Sequence, residues 1–344
     1  MEEIRLLARR LLVLFISMLA LIVVLFILLL TYKPSKNIHS PIIPEDTKVA
    51  EWRPKNVLAE LNNMPSDVKM GYFLVAETSN YMGPSAKDST MRFAGNNLAC
   101  TNCHLQNGTQ AGSASWVGVI DRFPQFGGRA NKTGTIEERI NGCMERSMNG
   151  KMLPEDSEEI KAIVAYMTWL GEDLPKDKEK EFKGYGALNI PNKVVDLKKG
   201  EEVFEKECTL CHGADGQGIR YTDASKGYQY PPLWGNDSYN DGAGMYRVIA
   251  AAQFIKSNMP FGQATWKNPK LTDEEAYNVA GYINSFSRPH KSNTEDDYPD
   301  KKLKPVSTPY GPWADDFSAA QHKYGPFQPI MEFYKKQYNI IKTK

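Results

Sequence analysis

Apolar positions change their spacing several times along this chain, and each spacing predicts a different element. From Leu11 to Leu30 they form one run broken only by Ser17. A helix of that length, at ~1.5 Å per residue, spans roughly 30 Å, the thickness of a bilayer's hydrocarbon layer. The run ends in Thr31-Tyr32-Lys33-Pro34, without the small-residue cleavage site of a secretory signal peptide. It therefore reads as an uncleaved transmembrane anchor over 11–31, preceded by a cytoplasmic stretch, 1–10, and followed by a Pro-rich charged connector, 32–50. The segment from Glu51 to about Met82 is mainly helical in pattern and is placed outside the first of two repeated units.

Those units share one plan. In the first, a Gly-rich loop leads to a helix around Glu137–Met148, then Met152-Leu153-Pro154, then a helix from about Glu155 to Leu170. That helix carries Ile160, Ile163, Val164 and Met167 at helical spacing. The second has a helix through Met245–Lys256, then Asn258-Met259-Pro260, then a last helix whose Thr272 and Glu275 form a capping-box pattern. Between them, 175–195 is charged and turn-rich and reads as a linker. Beyond Arg288 the periodicity fades, although Tyr310, Trp313, Phe317, Tyr324 and Phe327 give the tail anchors. The expected fold is mainly α. Two small helical domains (51–174 with its N-terminal extension, and 196–288) stand in tandem after a single transmembrane helix. An irregular wrapping extension, 289–344, follows them.

The chemistry behind that plan is a duplicated string. Cys100-Thr-Asn-Cys103-His104 and Cys208-Thr-Leu-Cys211-His212 are both CxxCH. At this spacing two thiols add to a haem while the adjacent histidine reaches the iron. The two copies use four of the five cysteines, and no further CxxC or HxxxH pair completes a zinc site. Two covalently bound haem c groups are the expected cofactors, and the two helical domains are expected to be class I cytochrome c-like. Attachment of haem c occurs on the outer side of bacterial membranes, so the body is expected on the periplasmic face of the inner membrane, held by a single pass. With 42 basic and 41 acidic residues in 344, the near-neutral balance argues against a nucleic-acid partner.

The sixth iron ligands are less legible. At the second haem, Met259 occupies the usual axial-methionine slot, and Lys256 is its rival. An amine must lose its proton before it can bind iron, which favours Met259. At the first haem, repeat logic points to Met152, yet the fifth cysteine, Cys143, sits on the preceding helix. Arg139 and Ser147 lie one turn either side of it, Arg146 three residues on, and Arg129 upstream in Phe126-Gly-Gly-Arg129. Cations lower a thiol's pKa and bind oxyanions. Interleaved Glu137, Glu138 and Glu145 fit a solvated helix face equally well.

At these residues the chain resembles the dihaem c-type thiosulfate dehydrogenase / tetrathionate reductase family. The matching blocks are Phe126-Gly-Gly-Arg129, Arg139-Ile-Asn-Gly-Cys143-Met-Glu-Arg-Ser147, Phe254-Ile-Lys-Ser-Asn-Met259-Pro, Pro309-Tyr-Gly-Pro-Trp313 and Gln321-His-Lys-Tyr-Gly-Pro326. The resemblance implies that Cys143 ligates the first haem opposite His104, that Met152 is a bystander, and that Arg129, Arg139 and Ser147 bind substrate. It implies oxidation of two thiosulfates to tetrathionate, or the reverse. Electrons would pass from haem 1 to haem 2 and on to a small cytochrome c, a quinone-linked complex or a terminal oxidase. Family members use methionine or lysine at the second haem, so the resemblance leaves that ligand open. The amino-terminal anchor departs from the soluble periplasmic form.

Two rival readings remain at the level of sequence. A plain dihaem electron carrier predicts methionine at both sixth positions. A dihaem peroxidase needs acid/base residues near one iron, but His39, His290 and His322 all fall outside the haem units.

Overall fold

The computed structural model describes residues 2–31 and 52–343; the connector expected over 32–50, with His39, lies outside the described residues. The chain divides into two compact units, one carrying the first helix and one beginning at Trp52. Helix α1, Glu2–Thr31, is long and apolar enough to cross a membrane, and its large apolar side chains are exposed along its length. A helix of this kind at a chain's N-terminus serves as an anchor or as a signal sequence.

The second unit is mostly helical, and its helices come in matched sets. The first set is α2 (Val57–Glu60), α3 (Ser66–Ala76), α4 (Thr78–Met82), α5 (Ile136–Arg146) and α6 (Glu158–Gly171). The second is α7 (Leu197–Glu207), α8 (Thr209–His212), α9 (Val248–Asn258) and α10 (Asp273–Ser285). The only sheets among the described residues are two small antiparallel hairpins, β1–β2 (Gln125–Gly127, Lys132–Gly134) and β3–β4 (Ile219–Arg220, Tyr228–Tyr230).

Helix α3 packs on α6, and α7 packs on α10. Both crossings are made at a glycine. A Cβ on Gly71 would collide with the Ala162 carbonyl and Tyr166, and one on Gly200 with the Asn278 carbonyl and Tyr282. Only glycine lets the backbones approach this closely. The sequence reading placed the segment before the first CxxCH outside the first unit; in the structure its helix α3 packs on α6 as α7 packs on α10. Sequence periodicity could not show this, because the equivalence lies in which helix each glycine faces.

Caps set the helix starts. Thr135 accepts from the Glu138 N–H at 3.3 Å while Glu138 accepts from the Thr135 N–H at 3.0 Å, opening α5. Thr272 and Glu275 do the same for α10, at 3.2 and 2.9 Å. Each pair satisfies two donors that helix geometry leaves without partners.

The two cores interlock. Tyr228 of β4 is buried in the cluster that holds Met82, Met144, Met148, Ile163 and Tyr166. Leu105, next to His104, is buried in the cluster of Phe204, Val248, Phe254, Tyr277 and Phe327. The stretch expected as a linker is likewise built in. Phe182 and Val195 are buried, the Ala114 N–H donates to the Gly184 carbonyl at 2.9 Å, and the Val195 N–H donates to the Tyr324 carbonyl at 2.9 Å.

The tail departs from an irregular wrap in one respect. It forms α11 (Ala319–Tyr324) and α12 (Gln328–Tyr338), and Ile330 and Tyr334, one turn apart on α12, enter the second core. Its anchors include His322, which is buried against the Trp313 ring with centroids 4.3 Å apart. His322 is bonded to the Val306 carbonyl at 2.7 Å and to Asp315 at 2.9 Å.

Candidate active site

The first CxxCH lies on a short helical turn, Cys100–Asn102, that Asn102 ties off by accepting from the Ala99 N–H at 2.8 Å. Cys100, Cys103 and His104 form part of the wall of a cavity. Its other walls are mainly apolar and include Val75, Leu98, Trp116, Ile140, Met144 and Met167. His104 Nδ1 is held by the Ala114 carbonyl at 2.8 Å, and its ring lies 4.7 Å from Trp116. That bond fixes the imidazole and leaves Nε2 as the nitrogen free for a metal. In the second unit His212 repeats the arrangement, with Nδ1 held by the Pro231 carbonyl at 2.8 Å. Two thiols for thioether bonds, an oriented imidazole and apolar walls are what haem c requires, so the residues present fit the group.

Cys143 shares this cavity with His104 and interacts with it side chain to side chain. Helix α5 delivers Ile140, Cys143 and Met144, and its C-cap residue Ser147, to the same wall. Arg139, one turn earlier and open to solvent, donates from Nη1 to the Cys143 sulfur at 3.0 Å. Burial pushes the Cys143 thiol up, but Arg139 and His104 outweigh it and hold the thiol down at about 6. Cys100 and Cys103 behave in the opposite way: burial pushes them up to about 11 and about 12. Met152, the repeat-based candidate, is 58% exposed and does not line the cavity. Its turn faces solvent because Leu153 takes the buried place, bonded through its N–H to Asn141 at 2.8 Å.

The remaining predicted residues separate. Ser147 lines the cavity, and its hydroxyl makes no hydrogen bond among the described residues. Arg129 is occupied: its Nη1 donates to Asp297 Oδ2 at 2.6 Å, to the Gly242 carbonyl at 3.0 Å and to the Tyr310 hydroxyl at 3.2 Å. Arg146 donates to the other oxygen of Asp297 at 2.8 Å. Asp297 is buried, which alone would raise its pKa, yet Arg129, Tyr310 and Arg146 hold it below the usual carboxylate value. At the second unit Lys256 Nζ donates to Asp273 Oδ1 at 2.6 Å, whereas Met259, at the end of α9, packs with Cys208 against the second core.

Several residues at the site carried no signal in the sequence. Tyr185, from the expected linker, is surrounded electrostatically by Cys103, Arg139, Arg247 and Cys143, and its hydroxyl reaches Met245 sulfur at 3.7 Å. Tyr239 and Met245, from the second unit, complete the cavity of the first. A lone tyrosine or methionine between periodic segments resembles ordinary packing until the fold brings it to the pocket.

Known proteins match in the same order. The profile of the SoxA/TsdA cytochrome c domain family covers residues 90–175, and that of cytochrome c covers residues 197–287. A thiosulfate dehydrogenase of Stutzerimonas stutzeri is 38% identical over 69% of this chain and 70% of its own length. One of Allochromatium vinosum is 42% identical over 57% of this chain and 72% of its own length. The chain belongs to the thiosulfate dehydrogenase family. A further relative, from Psychrobacter arcticus, is 42% identical over 60% of this chain, and the match spans 61% of that protein's length. Among solved structures, the thiosulfate dehydrogenase TsdBA of Marichromatium purpuratum superposes with a TM-score of 0.60 at 30% identity. That match covers 72% of this chain and 52% of the other. The two helical sets are thus cytochrome c domains, and this is a haem c protein.

Proposed function

We propose that this chain is a membrane-anchored dihaem cytochrome c that joins two thiosulfates into tetrathionate. The two electrons leave by way of the second haem unit to an external carrier. That carrier is a small cytochrome c, a quinone-linked complex or a terminal oxidase. One observation carries the reading. Cys143, the cysteine outside both attachment motifs, lines the same cavity as His104 and interacts with its side chain, with an arginine 3.0 Å from its sulfur. A plain electron carrier has no use for a thiolate there, nor for cations around it.

When bound, haem c supplies an iron that takes one electron at a time. His104 and Cys143 would hold the iron of the first haem, and His212 and Met259 that of the second. Lys256 is committed to Asp273, which supports methionine over lysine at that position. The chain's own task is to bring two dianions together. Arg139 balances the charge on Cys143 and presents its remaining N–H groups to a sulfonate, and the Ser147 hydroxyl adds a donor. Arg129 acts from behind. Its ion pair with Asp297 fixes the turn after β1 against the tail. The net reaction, 2 S₂O₃²⁻ → S₄O₆²⁻ + 2 e⁻, is catalysed in both directions, and the potentials of the couple and its carrier set the bias.

Helix α1 is read here as a retained single-pass anchor in the inner membrane, with the haem units on the periplasmic side. Tethering raises the local concentration of the enzyme at a membrane-bound acceptor.

The test is turnover of thiosulfate by the haem-loaded enzyme with an oxidised cytochrome acceptor, comparing wild type with Cys143→Gly. The account expects tetrathionate from the wild type and a loss of at least about a hundredfold in the variant, the scale of removing a reacting or charge-stabilising group. A Cys143→Gly enzyme with wild-type turnover contradicts it.

A further inference from the structure

Five arginines stand around the first haem pocket: three have an anionic partner, and a fourth, Arg288, lies over the Tyr239 and Tyr246 rings at 4.3 and 4.8 Å. Arg139 donates to the Cys143 sulfur, while Arg129 and Arg146 share the carboxylate of Asp297. Arg247 has no anionic partner among the described residues. Its one side-chain hydrogen bond runs from Nε to the Gly244 carbonyl at 3.4 Å, long and neutral. Its half-buried position makes that costly, since an enclosed charge without a counter-charge loses hydration and gains nothing in return.

Its location is specific. Arg247 is the residue before α9, two positions after Met245, which lines the first haem cavity from the second unit. It shares a neighbourhood with Arg129, Tyr298, Tyr310 and Tyr185. Tyr185 in turn interacts electrostatically with Arg247 and with Arg139, Cys103 and Cys143. Burial pushes the Tyr185 hydroxyl up to about 12, so it stays a neutral donor at physiological pH and does not neutralise the arginine. The Arg247 guanidinium thus keeps a full charge with no anionic partner among the described residues.

We propose that Arg247, contributed by the second cytochrome domain, is a binding residue for the doubly charged sulfur oxyanion at the first haem, holding a sulfonate group that Arg139 does not reach. The proposal rests on the thiosulfate–tetrathionate reading and adds a residue to it. It also makes the pocket a two-domain site: joining two dianions needs two cationic holds, and the free guanidinium supplies the second from across the domain boundary.

The test uses the complete haem-loaded enzyme and three forms: wild type, Arg247→Gln and Arg247→Lys. Two quantities are read: KM and kcat for thiosulfate, and calorimetric affinity of the oxidised enzyme for tetrathionate, which cannot be turned over without a reductant. Arg247→Gln is expected to raise KM and weaken tetrathionate on the order of 10- to 100-fold, the scale of a charge-assisted hydrogen bond. Its kcat should fall less than its KM rises, and Arg247→Lys should recover part of the lost affinity. Wild-type KM and tetrathionate affinity in Arg247→Gln overturn the proposal. So does equal loss in both variants accompanied by an altered haem spectrum, which is the mark of a structural residue. Failure of the underlying reading looks different: the wild type itself would neither oxidise thiosulfate nor bind tetrathionate, and both claims would fall together.

Discussion

Asp297, from the C-terminal extension, holds Arg129 at 2.6 Å and with its second oxygen holds Arg146 of α5 at 2.8 Å. One buried carboxylate thus ties the tail to the helix that carries Cys143. Removing it would leave two guanidinium groups facing each other with no anion between them. Asp297→Asn is expected to lower unfolding stability by about 3 kcal/mol, as breaking a buried pair by deleting one partner does. Denaturant unfolding of the two proteins at neutral pH checks this, and a difference within ~0.5 kcal/mol contradicts it.

The same carboxylate predicts a pH dependence. Its folded pKa is lowered, so its contribution is complete above the unfolded value near ~4 and is lost as pH falls through the lower folded value. Wild-type stability should therefore drop more steeply than that of Asp297→Asn on acidification below about pH 4. Parallel curves from neutral pH down into the acid range contradict the assignment.

The glycine crossings make a matched pair of predictions. Gly71→Ala and Gly200→Ala each push a methyl into a facing carbonyl, so each should cost about 1–3 kcal/mol of stability. The effects should be local: Gly200→Ala disturbs the spectrum of the second haem more than the first, and Gly71→Ala does the reverse. Neutral substitutions at both sites would show that the helices part freely, contrary to the packing seen.

Lys256 and Met259 separate in one redox titration. Lys256→Gln removes a partly exposed ion pair, costing at most ~1 kcal/mol, and should leave the second haem's potential where it was. Met259→Gly removes the thioether and should lower that potential. A potential that shifts with Lys256 and not with Met259 reverses the ligand assignment.

How much of this was legible beforehand depended on whether a feature is local in sequence. The CxxCH strings, the apolar run of α1 and the Thr272–Glu275 cap are short-range patterns, and each lies where the pattern placed it. Helix α5 begins at Ile136 because the Thr135–Glu138 box stops it there, within a residue of the expected start. The role of α3 was not legible, since Gly71 gains meaning only against Ala162 on α6. Nor was the burial of 175–195, whose charged residues conceal Phe182 and Tyr185, or α12, whose short amphipathic stretch is lost among prolines and tyrosines. At the site, the cluster of Cys143 with Arg139 was visible as one helix face. Asp297, Tyr185 and Arg247 arrive from distant segments and had no local mark.

The central claim is that Cys143 sulfur, with His104, would ligate the iron of the first haem, and low-temperature EPR of the oxidised, haem-loaded enzyme tests it most directly. The account predicts a low-spin signal of the histidine–thiolate type that disappears in Cys143→Gly, beside one of the histidine–methionine type. Two histidine–methionine signals, unchanged by that substitution, would contradict it and leave a tethered electron carrier in its place.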